Sequence, residues 1–323
     1  MKKKILLTNR YEGELAALLR ENVAGRFDLQ MLEKVDRSEL IKSIEDADYL
    51  LMSGKLEIDE EVIASAKKLK MIQRTGVGLD SIDLDVLKRH GIPLYVNKGV
   101  NAVSVAEYTL MLMLATLKNT YSVWPEMKDG KWNKQKNGIK THELFGKTVG
   151  IIGMGNIGKR VAKMLNGFDC HIVYYDQFRQ NEEIEKELHL TYLSLDELLR
   201  SSDIISLHCP YDKKTGKIIT KQQIGLMKDG VILINTARGK LIDEKALTEA
   251  LKSGKIAACG LDTFEEEPLK ADSELRTLPN VLLSPHIAGL AYEAYERMFK
   301  EALHNIDLFD SGQIEQISNC LVA

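Results

Sequence analysis

Two doubly wound α/β domains, each built on a parallel sheet, are predicted from three observations. Short β-type runs alternate with helical patterns along most of the chain, the alternation falls into two separate series, and 323 residues is more than one average domain needs. In the first series residues 5–8, 49–52, 71–74 and 94–96 read as strands. The apolar spacing predicts helices between them near residues 12–21, 38–44, 59–66 and 84–90. In the second, strands are expected at 148–152, 171–175, 204–207, 231–235, 257–261 and 281–283. Helices near 157–166, 195–201, 220–227 and 244–253 separate them. Two segments stand apart from both series. Ser104 and Glu107 have the spacing of a capping box that opens a long apolar helix to Leu117, and residues 290–310 read as an amphipathic closing helix. In doubly wound sheets a ligand is expected at the carboxyl ends of the strands.

Bulk composition narrows the function classes. With 44% hydrophobic and 28% charged residues the chain is an ordinary globular protein, neither disordered nor fibrous. A net charge of −3 argues against a nucleic-acid partner, which calls for a basic excess. The apolar run after Lys2-Lys3-Lys4 is too short for a signal peptide, and the run from Leu110 to Leu117 is too short to span a bilayer. A soluble, cytoplasmic protein without a membrane partner is expected. Cys170, Cys209, Cys259 and Cys320 are widely spaced with no CxxC and no histidine at metal-ligand spacing, so reduced thiols and no metal site are expected.

Gly153-Met-Gly155-Asn156-Ile157-Gly158 is a GxGxxG motif. Alone it is weak, but here a predicted strand precedes it and a predicted helix begins inside it. Gly153 permits a tight turn, Gly155 leaves room for backbone to approach a pyrophosphate, and Gly158 allows close packing of helix on strand. The pyrophosphate then meets the helix N-terminus. Asp176, eighteen positions beyond Gly158, ends the next strand. A carboxylate there accepts from a ribose diol and repels a 2′-phosphate, which points to NAD. The nearby Arg179 keeps NADP open as a competitor.

Beyond this motif the chain resembles the D-isomer-specific 2-hydroxyacid dehydrogenases, within them the branch of 3-phosphoglycerate dehydrogenases and hydroxypyruvate/glyoxylate reductases. The resemblance runs through Arg74-Thr-Gly76-Val-Gly78-Leu-Asp80, Asn101-Ala-Val-Ser-Val-Ala-Glu107, Gly146-Lys-Thr-Val-Gly-Ile-Ile-Gly153 and His208-Cys-Pro210. It continues through Asn235-Thr-Ala-Arg238-Gly239, Asp262-Thr-Phe-Glu-Glu-Glu267-Pro268 and Pro285-His286-Ile-Ala-Gly289. It implies a Rossmann NAD domain, residues 100–287, inserted into a flavodoxin-like substrate domain of residues 1–99 and 288–323. It also implies hydride transfer between NAD(H) and a small 2-hydroxy/2-keto acid pair of D configuration. The chain ends at Ala323, so feedback control through the C-terminal extension of longer phosphoglycerate dehydrogenases is not expected.

Reducing a keto acid takes a cation for the carboxylate and carbonyl, and an acid for the developing alkoxide. Arg238, in a turn at a strand end, offers a planar fork matched to carboxylate oxygens. His286, just beyond another strand, carries an imidazole, the side chain that exchanges protons near neutrality. The resemblance makes Glu267 its carboxylate partner, orienting the ring and favouring its protonated form. By the same resemblance Asp262 lies near the nicotinamide, and Asn156, Ile157, His208, Pro210, Thr215, Thr236, Ala237 and Gly289 complete the cofactor contacts. Thr75-Gly76-Val77-Gly78 can present successive N–H groups as an anion nest. The resemblance gives Val77 and Gly78 to the substrate carboxylate, with Ser53 and Gly54 nearby.

Two departures bear on the substrate. Phosphoglycerate dehydrogenases often place Arg where Met52 stands, leaving Arg74 and Lys98 as the remaining phosphate partners. Formate-type relatives put an amide where Glu267 stands, which argues against that branch. The long apolar helix to Leu117 needs cover on every side, and the resemblance implies a homodimer through it. A second reading, a non-enzymatic NAD-sensing protein like the corepressors that share this fold, keeps the same Arg, Glu and His. Turnover of any 2-keto acid separates the two.

Overall fold

The computed structural model describes residues 2–23, 25–54, 56–213 and 215–323. The chain divides into two compact units, one of Met1–Asn101 with Ala291–Ala323 and the other of Ala102–Leu290. In the first, β1 (Lys4–Leu7), β2 (Asp28–Met31), β3 (Tyr49–Met52), β4 (Met71–Arg74) and β5 (Leu94–Val96) pair in parallel in the order β2-β1-β3-β4-β5. This is the flavodoxin-like order, whose direction reverses between β1 and β3. The helices α1 (Gly13–Val23), α2 (Arg37–Ser43), α3 (Glu60–Ser65), α4 (Leu84–His90) and a closing helix (Tyr292–Asp310) cover the sheet. Alternation along the strands explains the double cover. Ile5, Leu7, Tyr49 and Leu51 enter one core, with Phe299 and Leu303 of the closing helix. Leu6, Leu50, Met52 and Ile72 enter the other, with Leu40, Val62 and Val86. A strand buried on both faces is mainly apolar, hence the near-continuous runs, with Gln73 of β4 a buried polar exception.

The second unit begins with α5 (Ala102–Leu117), α6 (Thr120–Lys128) and α7 (Lys134–Gly138). It then builds a seven-stranded parallel sheet from β6 (Thr148–Ile152), β7 (His171–Tyr175), β8 (Leu190–Tyr192), β9 (Ile204–Leu207), β10 (Val231–Asn235), β11 (Ile256–Leu261) and β12 (Val281–Leu283). The order β12-β11-β10-β9-β6-β7-β8 is that of the Rossmann fold extended by one strand, with its reversal between β6 and β9. The helices α8 (Asn156–Leu165), α9 (Glu182–Glu187), α10 (Leu195–Ser201), α11 (Lys221–Leu226) and α12 (Glu244–Ser253) alternate with the strands. The predicted fold class is thus the observed one.

Most predicted elements occur within two residues of their expected bounds, and the departures have physical reasons. β2 and β8 were not expected. Each is a short edge strand, of four and three residues, and polar residues interrupt it, so neither shows a continuous apolar run. α5 starts at Ala102, so Ser104 lies inside its first turn and is not the cap. A capping box forms instead at Ser194, where Glu197 accepts from the Ser194 backbone N–H at 2.9 Å. Asp36, Asp59, Asp83 and Asp243 likewise cap helices by accepting first-turn N–H groups. α6, α7 and α9 bury no residue, so no apolar period announced them. Among the described residues no helix is long and apolar enough to cross a membrane, and no group of three or more metal-ligating side chains occurs.

Candidate active site

At the reversal between β6 and β9 the chain turns sharply through Gly153, whose φ of +99° is open to glycine. A Cβ there would stand 2.5 Å from the Cys209 backbone N, so the loops after β6 and β9 touch at this position. A Cβ on Gly158 would stand 2.2 Å from the Gly153 carbonyl, which lets α8 sit against the turn. Gly155 is the N-cap of α8 yet supplies no side chain, and a Cβ on it would meet nothing within 4 Å. The N–H groups of the first turn, Asn156 and Ile157 among them, therefore lack a side-chain cap, and the space beside Gly155 is open. That cradle fits a pyrophosphate.

Asp176 stands at the end of β7 beside the same loop. One oxygen accepts from the Met154 N–H at 2.6 Å and the other from the Phe178 N–H at 2.9 Å. A carboxylate has about four acceptor positions, so two remain for a ribose diol. Arg179, the residue that kept NADP open, is turned to Glu185 through two bonds of 2.9 Å and lies over the Tyr192 ring. Arg179 above all, then Tyr174, holds the Glu185 carboxyl down to about 2. These residues suit NAD.

Other predicted contacts of the cofactor turn their side chains to other groups of the protein. His208 is buried, its Nε2 lies 2.8 Å from Ser206 Oγ, and burial drives its pKa down to about 3. It is a neutral ring, and only its backbone flanks Gly153. Thr236 Oγ1 bonds Thr109 Oγ1 of α5 at 2.8 Å, and Thr215 Oγ1 donates to the Asp212 carbonyl. Pro210 and Gly289 lie in the loops after β9 and β12, and Ala237 in the turn after β10.

The three neighbouring strands β10, β11 and β12 each end in a loop that carries part of the predicted chemistry. After β10, buried Asn235 accepts from the Ala237 N–H at 3.0 Å and donates to the Arg238 carbonyl at 2.9 Å, spanning the turn that presents Arg238. Arg238 Nη1 donates to the Ala237 carbonyl. A Cβ on Gly239 would stand 1.9 Å from the Phe264 carbonyl carbon, so this turn lies flat against the loop after β11. In that loop Glu267 accepts from the Phe264 N–H at 3.0 Å with one oxygen and holds His286 Nδ1 at 2.8 Å with the other. The Glu267 side chain is 14% exposed and that of His286 42%, so the ring is gripped from inside while its far side faces out.

His286 itself has φ +58°, a conformation that costs an L-residue roughly 1–2 kcal/mol. Asp262 holds it there. That carboxylate, 1% exposed, accepts from Ser284 Oγ at 2.6 Å, Ile287 N–H at 2.9 Å and Ala288 N–H at 2.8 Å. It therefore grips the chain on both sides of the histidine. Asn235, Phe264 and Ser284 were not singled out in the sequence. An Asn ending a buried strand ahead of a turn is the one signal that was readable.

The remaining predicted residues belong to the first unit. Ser53 and Gly54 follow β3, and Arg74 through Gly78 follow or end β4. Arg74 Nη2 donates to the Gly54 carbonyl at 3.3 Å, and Thr75 N–H to the Met52 carbonyl at 3.0 Å. Val77 is 51% exposed. Met52 is fully buried, and Lys98 donates to the Asn319 carbonyl.

A glycine cradle at the switch point of a Rossmann sheet, a carboxylate beside it and a Glu–His pair on neighbouring strand ends define an NAD-dependent oxidoreductase. Comparison with known proteins carries this further. The family profile "D-isomer specific 2-hydroxyacid dehydrogenase, NAD binding domain" matches residues 110–288. The chain is 41% identical over 276 residues to a hydroxypyruvate reductase of Thermotoga maritima, covering 85% of this chain and 88% of that one. It is 38% identical to a D-3-phosphoglycerate dehydrogenase of Archaeoglobus fulgidus over 90% of its length, but spans only 54% of that relative. Its fold superposes on a D-lactate dehydrogenase of Aquifex aeolicus, solved with NAD and lactic acid, with a TM-score of 0.85, 33% identity and 99% coverage of both chains. The chain belongs to the D-isomer-specific 2-hydroxyacid dehydrogenase family.

Proposed function

We propose that this dehydrogenase reduces a short, unphosphorylated 2-keto acid with NADH, through Arg238, Glu267 and His286. The observation that carries the reading is the Glu267 carboxylate, one oxygen on the Phe264 amide and the other on His286 Nδ1. A ring so held keeps its Nε2 for the substrate. The bound dinucleotide supplies the hydride; the protein supplies orientation, charge and a proton. Arg238 takes the substrate carboxylate and carbonyl oxygen in its planar fork and stabilises the charge that grows there. His286 gives the proton from Nε2 to the nascent alkoxide, and Glu267 steadies the imidazolium until it does. Asp262 positions His286, and by the family resemblance it would lie near the nicotinamide end of the cofactor. In the first unit, Val77 and Gly78 have N–H groups suited to a carboxylate, and Ser53, Gly54 and Arg74 belong to the same substrate loops.

In this reading the unit Ala102–Leu290 holds the cofactor and the unit of Met1–Asn101 and Ala291–Ala323 the substrate. The cradle from Gly153 to Gly158 takes the pyrophosphate and Asp176 the adenosine ribose. A phosphorylated substrate is disfavoured by buried Met52 and by the engagement of both remaining candidate partners, Arg74 with the Gly54 carbonyl and Lys98 with that of Asn319. The chain acts as a homodimer. Supporting this, Met111 of α5, Trp124 and Met127 of α6, and Trp132, Ile139 and Phe145 around α7 are between 43% and 84% exposed in the single chain. A reducing, cytoplasmic setting suits its four free cysteines. The test is NADH oxidation against glyoxylate, hydroxypyruvate, pyruvate, 2-ketoisocaproate, oxaloacetate and phosphohydroxypyruvate. Turnover confined to the phosphorylated acid, or none with any of them, overturns the reading.

A further inference from the structure

At the reversal of the first sheet, the loops after β1 and β3 are joined by two hydroxyls. Tyr11 Oη and Ser53 Oγ lie 2.8 Å apart. Both are held firmly. Thr8 Oγ1 donates to the Ser53 carbonyl at 2.7 Å and accepts the Ser53 N–H at 2.9 Å, which locks the Ser53 backbone onto the end of β1. The Tyr11 ring packs edge-on against Tyr295 and Phe299, with centroids 5.9 and 5.3 Å away. Neighbouring Gly54 is fixed in turn by Arg74. In a sheet of this strand order, the carboxyl edge between β1 and β3 is where a ligand binds.

The pair is incompletely satisfied. Two hydroxyls bring two hydrogens and their mutual bond uses one, while neither hydroxyl oxygen bonds any other described residue. One donor, and acceptor capacity on both oxygens, are left over at a half-buried position on that edge.

We infer that Tyr11 and Ser53 read the substituent on C3 of the substrate and select a 2-keto acid bearing a C3 hydroxyl. The inference rests on the reading of the Ser53–Gly54 loop as part of the substrate site. A neutral donor–acceptor pair matches a neutral hydroxyl, which both gives and takes a hydrogen bond. A C3 phosphate or carboxylate calls for a cation of its own, whereas Arg74 beside this loop already donates to the Gly54 carbonyl, and a methyl group would leave the pair without a partner on desolvation. A site that hydrogen-bonds a substrate hydroxyl discriminates strongly against the analogue lacking it.

The experiment compares hydroxypyruvate with pyruvate, which differ only in that hydroxyl, using NADH and the full chain. Wild type is expected to favour hydroxypyruvate in kcat/KM. Tyr11→Phe keeps the aromatic packing and removes one hydroxyl; Ser53→Ala removes the other and serves if the first variant misfolds. Each is expected to lower the hydroxypyruvate-to-pyruvate ratio about 10-fold, mainly through KM for hydroxypyruvate, the size of one lost hydrogen bond to substrate. Equal losses on both substrates with the ratio unchanged would show that the pair only supports the fold, and overturn the inference alone. No change on either substrate would remove the Ser53 loop from the substrate site, and the underlying reading would fall with it.

Discussion

One carboxylate, that of Glu267, bonds His286 Nδ1 at 2.8 Å and the Phe264 amide at 3.0 Å with its two oxygens. The amide bond fixes the carboxylate plane, and the plane fixes the ring. The loop after β12 is thereby tied to the loop after β11, against which Gly239 lays the turn that carries Arg238. The relative placement of the three residues depends on backbone contacts as much as on side chains.

His286→Ala is expected to lower kcat by roughly the 10²–10⁴-fold usual for a lost general acid, with little change in KM. Glu267→Gln keeps the shape but has a single acceptor atom for two donors, so its kcat should fall between wild type and His286→Ala. Steady-state NADH oxidation at saturating keto acid decides it. A glutamine variant as active as wild type would remove Glu267 from the reaction.

Arg238→Lys retains the charge and loses the two-pronged donor geometry. Both parameters should suffer, kcat through the oxyanion and KM through the carboxylate. If only KM rises, Arg238 binds the substrate without assisting hydride transfer.

Asp176→Ala should raise the KM for NADH and narrow the gap between NADH and NADPH, since it removes the acceptor for the ribose diol and the charge that repels a 2′-phosphate. Part of the loss will come from releasing Met154 N–H in the glycine loop. Wild-type protein that prefers NADPH contradicts this assignment.

His208 gives the fold a distinct acid sensitivity. Its ring stays neutral in the folded chain down to about 3, against an ordinary value of 6.5. Above 6.5 both folded and unfolded chains carry it neutral. As pH falls below that value the unfolded chain takes up a proton that the folded one refuses, so stability declines until the folded pKa is reached. His208→Gln should remove this contribution and flatten the dependence of unfolding free energy on pH, between about 6 and 4, by ~1.4 kcal/mol per pH unit. Urea unfolding at a series of pH values measures the slope; equal slopes would mean that the buried ring titrates normally.

Light scattering at micromolar concentration should give the mass of a dimer of the 36.4 kDa chain. Replacing Trp124 and Trp132 together with Glu should shift it toward monomer, because each would place a charge in a surface that is now 64% and 79% exposed apolar ring. A wild-type monomer would mean that these helices stay solvent-facing.

The buried elements were legible in the sequence because burial leaves a local record. A strand covered on both faces, such as β3, is apolar at every position, β10 departs from that only at Asn235 where it ends, and the glycines at 153 and 158 stand where a side chain would collide with backbone. Strands with polar residues among the apolar ones and exposed helices leave no such record, so β2, β8, α6 and α7 are not legible, whereas the edge strands β5 and β12 are apolar throughout and are. The capping spacing at Ser104 matched that at Ser194, but only the latter begins a helix, because α5 already starts at Ala102. The residue types needed for keto-acid reduction could be read from the sequence. Their arrangement came from tertiary structure alone: Asp262 gripping both flanks of His286, Asn235 spanning the Arg238 turn, Tyr11 meeting Ser53 across forty-two positions. These bonds join residues far apart in sequence or depend on one loop's exact path, and no local pattern specifies which buried donor a carboxylate will meet once the strands have aligned their ends.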